Sequence, residues 1–163
     1  MTTLNSTLVA NFEATPQTVN DATNLHGVMR VAQGTIALAA GDSTDNDIVM
    51  LAPIPSNASI PQIFVGSDTF GGSCTFNVGL YTEAGVVKDE DVFASSVADA
   101  AAMADVRFEA ANITTAGQKV YELAGDSADP GGFYYVAVTF NATGGTAGDM
   151  LSLIHISEPT RLG

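Results

Sequence analysis

Cys74-Thr-Phe-Asn-Val-Gly-Leu-Tyr81 is the stretch that decides the fold, because apolar residues alternate along it with polar or small ones. Successive side chains of a β-strand point to opposite faces, so the even-numbered residues of this stretch would share one face. A period of two sustained over such a length predicts a strand with one face in a hydrophobic core. Gly71-Gly72 precedes it and marks a turn.

Short runs of similar character lie on both sides of this strand and are separated by turn residues. They are residues 28–39, 47–52, 58–65, 92–94, 105–109 and 133–140. Strands of this length and spacing predict an all-β fold, which we expect to be a single jelly-roll-like β-sandwich. Helix-forming residues predict short helices near 96–103 and 116–124.

The alternation also predicts which side chains form the core. Along residues 133–140 both faces carry apolar side chains, so the alternation leaves open which face points inward. The expected core residues are Ile36, Leu38, Val49, Leu51, Ile63, Val65, Phe76, Val78, Leu80, Phe93, Val106, Phe108, Val120, Leu123, Tyr134, Val136 and Val138.

The 163 residues divide into three parts. Residues 1–27 are polar and show no sustained period, so we expect an extended N-terminal arm with turns. Residues 28–150 form the β-sandwich domain, which we expect to be truncated at its C-terminal end. Residues 151–163 form a separate tail, and no internal repeat or second domain is present in the sequence.

The tail contains Leu151-Ser-Leu-Ile-His-Ile-Ser-Glu-Pro-Thr-Arg161, which resembles the in-frame translation of a transposase-type sequencing adapter. The resemblance implies that the gene was assembled from metagenomic DNA and that this non-native tail replaces a final strand. Apolar residues lie on both faces of the tail, so we expect it to pair with the free edge left by the lost strand. We expect a poorer side-chain fit than that of a native strand, and pairing that ends at Pro159.

The chain is strongly acidic, with 18 acidic residues, 5 basic residues and a formal net charge of −13. Such a surface repels nucleic acid phosphates and anionic membranes, so we expect neither as a partner. No apolar run reaches the roughly 18 residues that span a bilayer. The first residues lack the basic and apolar regions of a signal peptide, so we expect a protein that is used without secretion.

Residues for catalysis are scarce. His26 lies in the polar arm, and the single cysteine, Cys74, lies on the apolar face of its strand, where we expect a small core residue. Nucleophilic catalysis needs a nucleophile with a nearby base, and zinc usually needs four ligands. We therefore predict that the protein is not an enzyme and has no resident cofactor.

Carboxylates offer one candidate metal site. Asp42, Asp45 and Asp47 crowd one loop, and hard oxygen ligands of this kind bind Ca²⁺. The spacing differs from that of an EF-hand loop, so an acidic surface loop is the alternative interpretation. The run Asp89-Glu90-Asp91 carries the same two interpretations.

The body of the chain resembles small virion structural proteins of tailed bacteriophages, of the head-decoration kind. The motifs that carry the resemblance span most of residues 4–150. They are Leu4-Asn-Ser6, Glu13-Ala-Thr-Pro16, Ile54-Pro-Ser-Asn57, Val78-Gly-Leu-Tyr81, Asp91-Val-Phe-Ala-Ser95 and Tyr121-Glu-Leu-Ala-Gly-Asp-Ser-Ala-Asp-Pro130.

The resemblance implies a non-enzymatic protein that decorates a capsid and contributes no catalytic residues. It implies phage capsid proteins and further copies of the chain (a homo-oligomer) as partners, and a place in the virion after assembly in the bacterial host cytoplasm. The arm is the expected attachment element, with Glu13, Ala14, Thr15 and Pro16 as its candidate partner-binding residues. The alternative is a carbohydrate-binding or adhesin-type β-sandwich, which would display exposed aromatic residues on one face.

Overall fold

The computed structural model describes residues 7–19, 28–99, 103–109 and 113–158. Within these ranges the chain forms eight strands, two α-helices and one 3₁₀ turn. The strands are β1 Val28–Leu38, β2 Ile48–Pro55, β3 Ser59–Ser67, β4 Thr75–Tyr81, β5 Val87–Ala98, β6 Ala104–Asp105, β7 Phe133–Phe140 and β8 Gly148–Glu158. The helices are α1 Thr7–Glu13 and α2 Val120–Leu123, and the 3₁₀ turn is Ile113–Gly117.

The strands form two four-stranded sheets, one in the order β1-β8-β3-β6 and the other in the order β2-β7-β4-β5. All of the strand pairs are antiparallel. Two sheets in which the chain crosses from one to the other in this order form a jelly roll. The predicted all-β, jelly-roll-like sandwich is therefore confirmed.

β4 forms where the alternation predicts it, but both of its faces are buried. On the face away from the core, the Asn77 Oδ1 atom accepts hydrogen bonds from the Ser96 N–H (2.9 Å) and from Asn141 Nδ2 (2.6 Å). The Tyr81 hydroxyl on the same face hydrogen-bonds with Thr139. These contacts provide hydrogen-bond partners for polar side chains that are buried on the second face of the strand.

The space between the sheets is filled by aromatic and aliphatic side chains. The Phe70 and Phe140 rings meet edge to face, with centroids 5.5 Å apart, and Phe76 stands at 6.3 Å from Phe140. The inward face of β7 carries Phe140 together with Tyr134, which decides the orientation that the alternation left open. Fourteen of the predicted core residues are buried, namely Leu38, Val49, Ile63, Val65, Phe76, Val78, Leu80, Phe93, Val106, Val120, Leu123, Tyr134, Val136 and Val138.

Three predicted core residues are not fully buried. Ile36 is 37% exposed because it lies on β1, an edge strand whose inward face is only partly covered. Leu51 is half-buried against the core, and Phe108 is half-buried because the chain turns at residues 107–108. The predicted strand over 105–109 is therefore wrong beyond Asp105, where β6 ends.

One of the two predicted helices is wrong in the described residues. β5 continues through Ala98, with Val97 opposite Phe76, and residues 100–102 lie outside the described part of the chain. Pairing with β4 overrides the helix propensity of this segment, which is worth only a few tenths of a kcal/mol per residue. The second prediction is confirmed in part, since α2 covers Val120–Leu123 and the 3₁₀ turn precedes it.

β8 contains most of the adapter-like tail and lies between β1 and β3, not at an edge. Its register with β1 runs from Val28↔Glu158 to Leu38↔Gly148 without a shift. The tail therefore pairs as a strand, as expected, but it is hydrogen-bonded on both sides and does not lie at an open edge. Pairing ends at Glu158, and Pro159 lies outside the described residues.

We predict that Ile154→Ala destabilises the protein by about 2–5 kcal/mol, because Ile154 is fully buried between the sheets and its loss leaves a cavity. Leu153→Ala is the matched control, since Leu153 is the next residue on the opposite face and is only half-buried. Urea unfolding, monitored by circular dichroism, measures the free energy of unfolding of both variants. Equal losses for the two variants would contradict the burial of the Ile154 face of β8 between the two sheets.

Candidate functional site

The arm that precedes β1 has one helical element and one segment without regular structure. α1 spans Thr7–Glu13, which corrects the expectation of a wholly extended arm. Val9 and Phe12 lie three residues apart, a spacing that places them on one face of a helix. Both are exposed, Phe12 by 68%. The arm thus holds apolar side chains in solvent just before the sandwich begins.

The candidate partner-binding residues follow directly from α1. Glu13 is its last residue, and Ala14, Thr15 and Pro16 continue the chain without helix or strand. Ala14 is half-buried and the other three are exposed. The Thr18 N–H donates to the Asn11 carbonyl at 3.1 Å, which folds this segment back on the helix. His26 lies outside the described residues.

The acidic loop between β1 and β2 uses its carboxylates to hold its own backbone. Asp42 Oδ2 accepts a hydrogen bond from the Ala39 N–H at 2.9 Å, and Asp47 Oδ2 accepts one from the Thr44 N–H at 2.8 Å. The Thr44 hydroxyl also donates to Asp47, and these two hydrogen bonds lower the pKa of the Asp47 carboxyl. The Asp45 backbone N–H donates to Thr143 Oγ1 at 3.3 Å.

An open depression of about 550 Å³ lies beside this loop, between the ends of β1 and β2. Asp42 and Asp47 line it together with apolar residues such as Ile36 and Val49. In the described part of the chain, no three His, Cys, Asp or Glu side chains are grouped as metal ligands. Calcium binding by Asp42, Asp45 and Asp47 stays a prediction from the sequence.

The second acidic run, Asp89-Glu90-Asp91, lies on β5 where the pairing with β4 shifts register. The β5 backbone approaches β4 closely at Gly79, and only a residue without a side chain fits there, since a Cβ atom at Gly79 would stand 2.2 Å from the Asp89 carbonyl oxygen. Partial burial raises the pKa of the Asp89 carboxyl. The run is thus part of an irregular, highly charged sheet edge.

Cys74 is buried immediately before β4, as expected for a core residue. Its thiol donates a hydrogen bond to the Ala142 carbonyl, with the Sγ atom 3.1 Å from the oxygen. Burial raises the pKa of the thiol, which favours the protonated form. A protonated, buried thiol is a poor nucleophile.

Arg107 is the feature that the sequence analysis missed. The side chain is fully buried, and the guanidinium lies 4.9 Å from the Phe93 ring centroid and 4.5 Å from that of Phe108. Nε donates to the Ile60 carbonyl at 2.7 Å and an Nη atom donates to the Thr115 carbonyl at 3.2 Å. Burial lowers the pKa of Arg107 to about 10, so it stays charged at neutral pH. Arg107 therefore ties the 3₁₀ turn to β3.

A second polar network lies at the surface near α2. Lys88 Nζ is 3.0 Å from Asp126 Oδ1 and 5.8 Å from the centre of the Tyr134 ring, and the Tyr134 hydroxyl donates to Asp126. Those bonds lower the pKa of Asp126, while burial and Asp126 raise the pKa of Tyr134 to about 12. Nearby, the Ser56 hydroxyl donates to Asp129 at 2.6 Å. Through Asp126, these contacts join Lys88 of β5 and Tyr134 of β7 to the loop that follows α2.

The structure carries no helix, within the described residues, that is long and apolar enough to cross a membrane. The large exposed aromatic side chains in the described ranges are Phe12 on α1 and Phe133 at the start of β7. Phe133 alone of the two belongs to the sandwich, so the described residues of the sandwich show one large exposed aromatic side chain and not the aromatic face expected of a carbohydrate-binding module.

Comparison with known proteins gives no match to a protein-family model or to a curated protein. A chain of the cyanophage Pam1 capsid asymmetric unit is similar in structure, with 12% identity and a TM-score of 0.50. The match covers 82% of this chain and 86% of that chain. A chain of the acidic stable capsid structure of Helicobacter pylori bacteriophage KHP30 matches with 12% identity and a TM-score of 0.41, over 82% and 90% of the two chains. At this identity the first likeness shows a common fold.

We predict that Arg107→Met destabilises the protein by about 1–3 kcal/mol, because it leaves the Ile60 and Thr115 carbonyls without their buried donor. Arg30→Met is the matched control. Arg30 is exposed and makes a surface ion pair with Glu158 at 3.3 Å, worth about 0–1 kcal/mol. Thermal and urea unfolding measure the stability of both variants. A similar small loss for both would show that the buried guanidinium contributes no more than a surface charge.

Proposed function

We propose that this protein is a non-enzymatic structural component of a bacteriophage virion that binds the capsid surface. The observation that carries the proposal is the fold match to a chain of the cyanophage Pam1 capsid asymmetric unit. The match covers most of both chains, so it concerns the whole jelly roll and not a shared fragment. The resemblance of residues 4–150 to head-decoration proteins supports the same role independently.

The interior of the sandwich also supports a structural role. The largest fully buried side chains include Phe70, Phe76 and Phe93, and the Arg107 guanidinium lies over the Phe93 ring. A jelly roll filled in this way is a rigid block that meets its partners through its surface, edges and arm. We therefore propose capsid proteins as the partners, the virion as the location and the bacterial host cytoplasm as the place of assembly.

The arm is the proposed attachment element. Phe12 and Val9 expose apolar surface on α1, and residues 14–19 continue as a chain without helix or strand. Burying such side chains in a hydrophobic groove of a partner stabilises the complex through the apolar area removed from water. The candidate residues Glu13, Ala14, Thr15 and Pro16 directly follow this helix and would extend the contact.

We predict that Phe12→Ala weakens binding to capsids of the parent phage at least about tenfold, because it removes the largest exposed apolar side chain of the arm. Ile113→Ala is the control, since Ile113 is 76% exposed but lies on the 3₁₀ turn of the sandwich. Co-sedimentation with purified capsids measures how much of the full chain, of each variant and of a form that lacks residues 1–27 binds to the capsid.

Two outcomes would contradict parts of this proposal. Equal binding by the full chain and by the form without residues 1–27 would show that the arm is not the attachment element. Failure of every form to sediment with capsids would overturn the decoration role itself. A glycan array would then test the carbohydrate-binding alternative, which shares the jelly-roll architecture.

We also propose that residues 151–163 replace the native end of the protein. The buried Ser152 hydroxyl is 3.5 Å from the Gly34 carbonyl, a long contact for a hydrogen bond. The His155 Nδ1 atom is buried without a hydrogen-bond partner among the described residues. Both observations fit a strand whose backbone suits its position better than its side chains do.

Sequencing the gene from independently prepared source DNA tests this second proposal. We predict that the reading frame departs from the present sequence near Met150 and continues with a strand of alternating apolar and polar residues. That pattern is expected because one face of β8 lies on the core and the other does not. Recovery of the same residues 151–163 from a library made without transposase adapters would contradict it.

A further inference from the structure

The four edge strands of the two sheets differ in how well they are protected against pairing with another chain. β6 is only two residues long, and β2 contains Pro53 and Pro55, which lack the N–H that a new partner would bond. β5 carries the charged run from Lys88 to Asp91 and several register shifts. Short length, proline, charge and irregular register are features that prevent a sheet edge from pairing with a strand of another chain.

β1 has none of these features. It is eleven residues long and keeps a continuous register with β8 on one side, while no described strand is hydrogen-bonded to its other side. It contains neither proline nor an acidic residue. Val28, Met29 and Val31 expose apolar side chains along it, Val31 by 53%. A long, regular and apolar edge of this kind is a site for strand addition.

The charge distribution indicates which occupant this edge fits. The chain carries a net charge of −13, so two copies repel each other across most of their surfaces. Along β1 the one charged residue is Arg30, and it already forms an ion pair with Glu158. Because β1 itself contains no acidic residue, a second copy of this acidic chain meets less repulsion at β1 than over the rest of the surface.

We propose that β1 pairs in antiparallel fashion with β1 of a second copy, so that one sheet runs through both copies across a two-fold axis. The new main-chain hydrogen bonds satisfy the outer N–H and C=O groups of both strands, and the exposed valines lose contact with water. Two-fold pairing uses the same surface on each copy and closes the assembly at a dimer. The proposal concerns the isolated protein and does not rest on capsid binding.

The sharpest variant places like charges opposite each other in the proposed pair. Val31 and Thr35 occupy one face of β1, and residues directly opposite in an antiparallel pair share a face. Val31→Lys with Thr35→Lys therefore brings lysines of the two copies together. Val86→Lys with Val87→Lys is the matched control, because this double substitution changes the net charge by the same amount. Val87 begins β5, an edge strand of the other sheet, and is 51% exposed.

Sedimentation equilibrium of the full chain, from about 1 to 100 µM and at low and high NaCl, is the measurement. We expect a mass twice the 16.7 kDa of one chain, reached at lower concentration as salt screens the repulsion. The β1 variant should dissociate at least about tenfold more readily, while the control variant keeps the wild-type behaviour. Circular dichroism and the melting temperature verify that both variants are folded.

Hydrogen exchange locates the contact. We expect the β1 amides to be protected at high concentration and to exchange faster on dilution, with no such change in β5. A wild-type chain that stays monomeric throughout the range would overturn the proposal, as would a β1 variant that dimerises like the wild type. Capsid co-sedimentation is scored separately, so failure of this inference leaves the capsid result unaffected.

Discussion

The antiparallel ladder that β8 makes with β1 and β3 is the interaction on which the first sheet depends. Without β8, β1 would have no partner strand and β3 would keep only the two residues of β6. Backbone hydrogen bonds are available to any extended segment, whatever its side chains. For this reason a tail that resembles an adapter sequence takes a place in the middle of a jelly roll. On the core-facing side of β8, Met150 and Ile154 are fully buried in the core, and Ser152 places a hydroxyl there; on the opposite face the His155 Nδ1 atom has no hydrogen-bond partner among the described residues.

The second sheet depends less on backbone pairing and more on side-chain fit. β4 and β7 are buried on both faces, and Gly79 lets β5 approach closely enough to pair through an irregular register. Arg107 has a similar role between elements, because its guanidinium joins β3 to the 3₁₀ turn while stacking on two aromatic rings. Loops that would otherwise be loosely held are thereby fixed to the sandwich.

The proposed role in a virion draws on the surface that this packing leaves outside. The chain carries 18 acidic residues against 5 basic ones, yet α1 and β1 expose apolar side chains. The net negative charge opposes contact between copies over most of the surface, which favours association at specific sites over general association. The proposed capsid attachment uses residues of α1 and the segment after it, whereas the proposed pairing of copies uses residues of β1, so the two proposals name different residues.

The sequence by itself determined the all-β class, the position of β4 and β7, and most of the core, because period-two alternation is a local property of the chain. It also placed Cys74 inside the sandwich. The order of strands in the sheets, the central place of β8 and the strand at Val97 depend on pairing between distant residues, which no local pattern encodes. The same holds for the burial of Arg107, whose partners Ile60, Phe93 and Thr115 lie far apart in the chain until the tertiary structure brings them together.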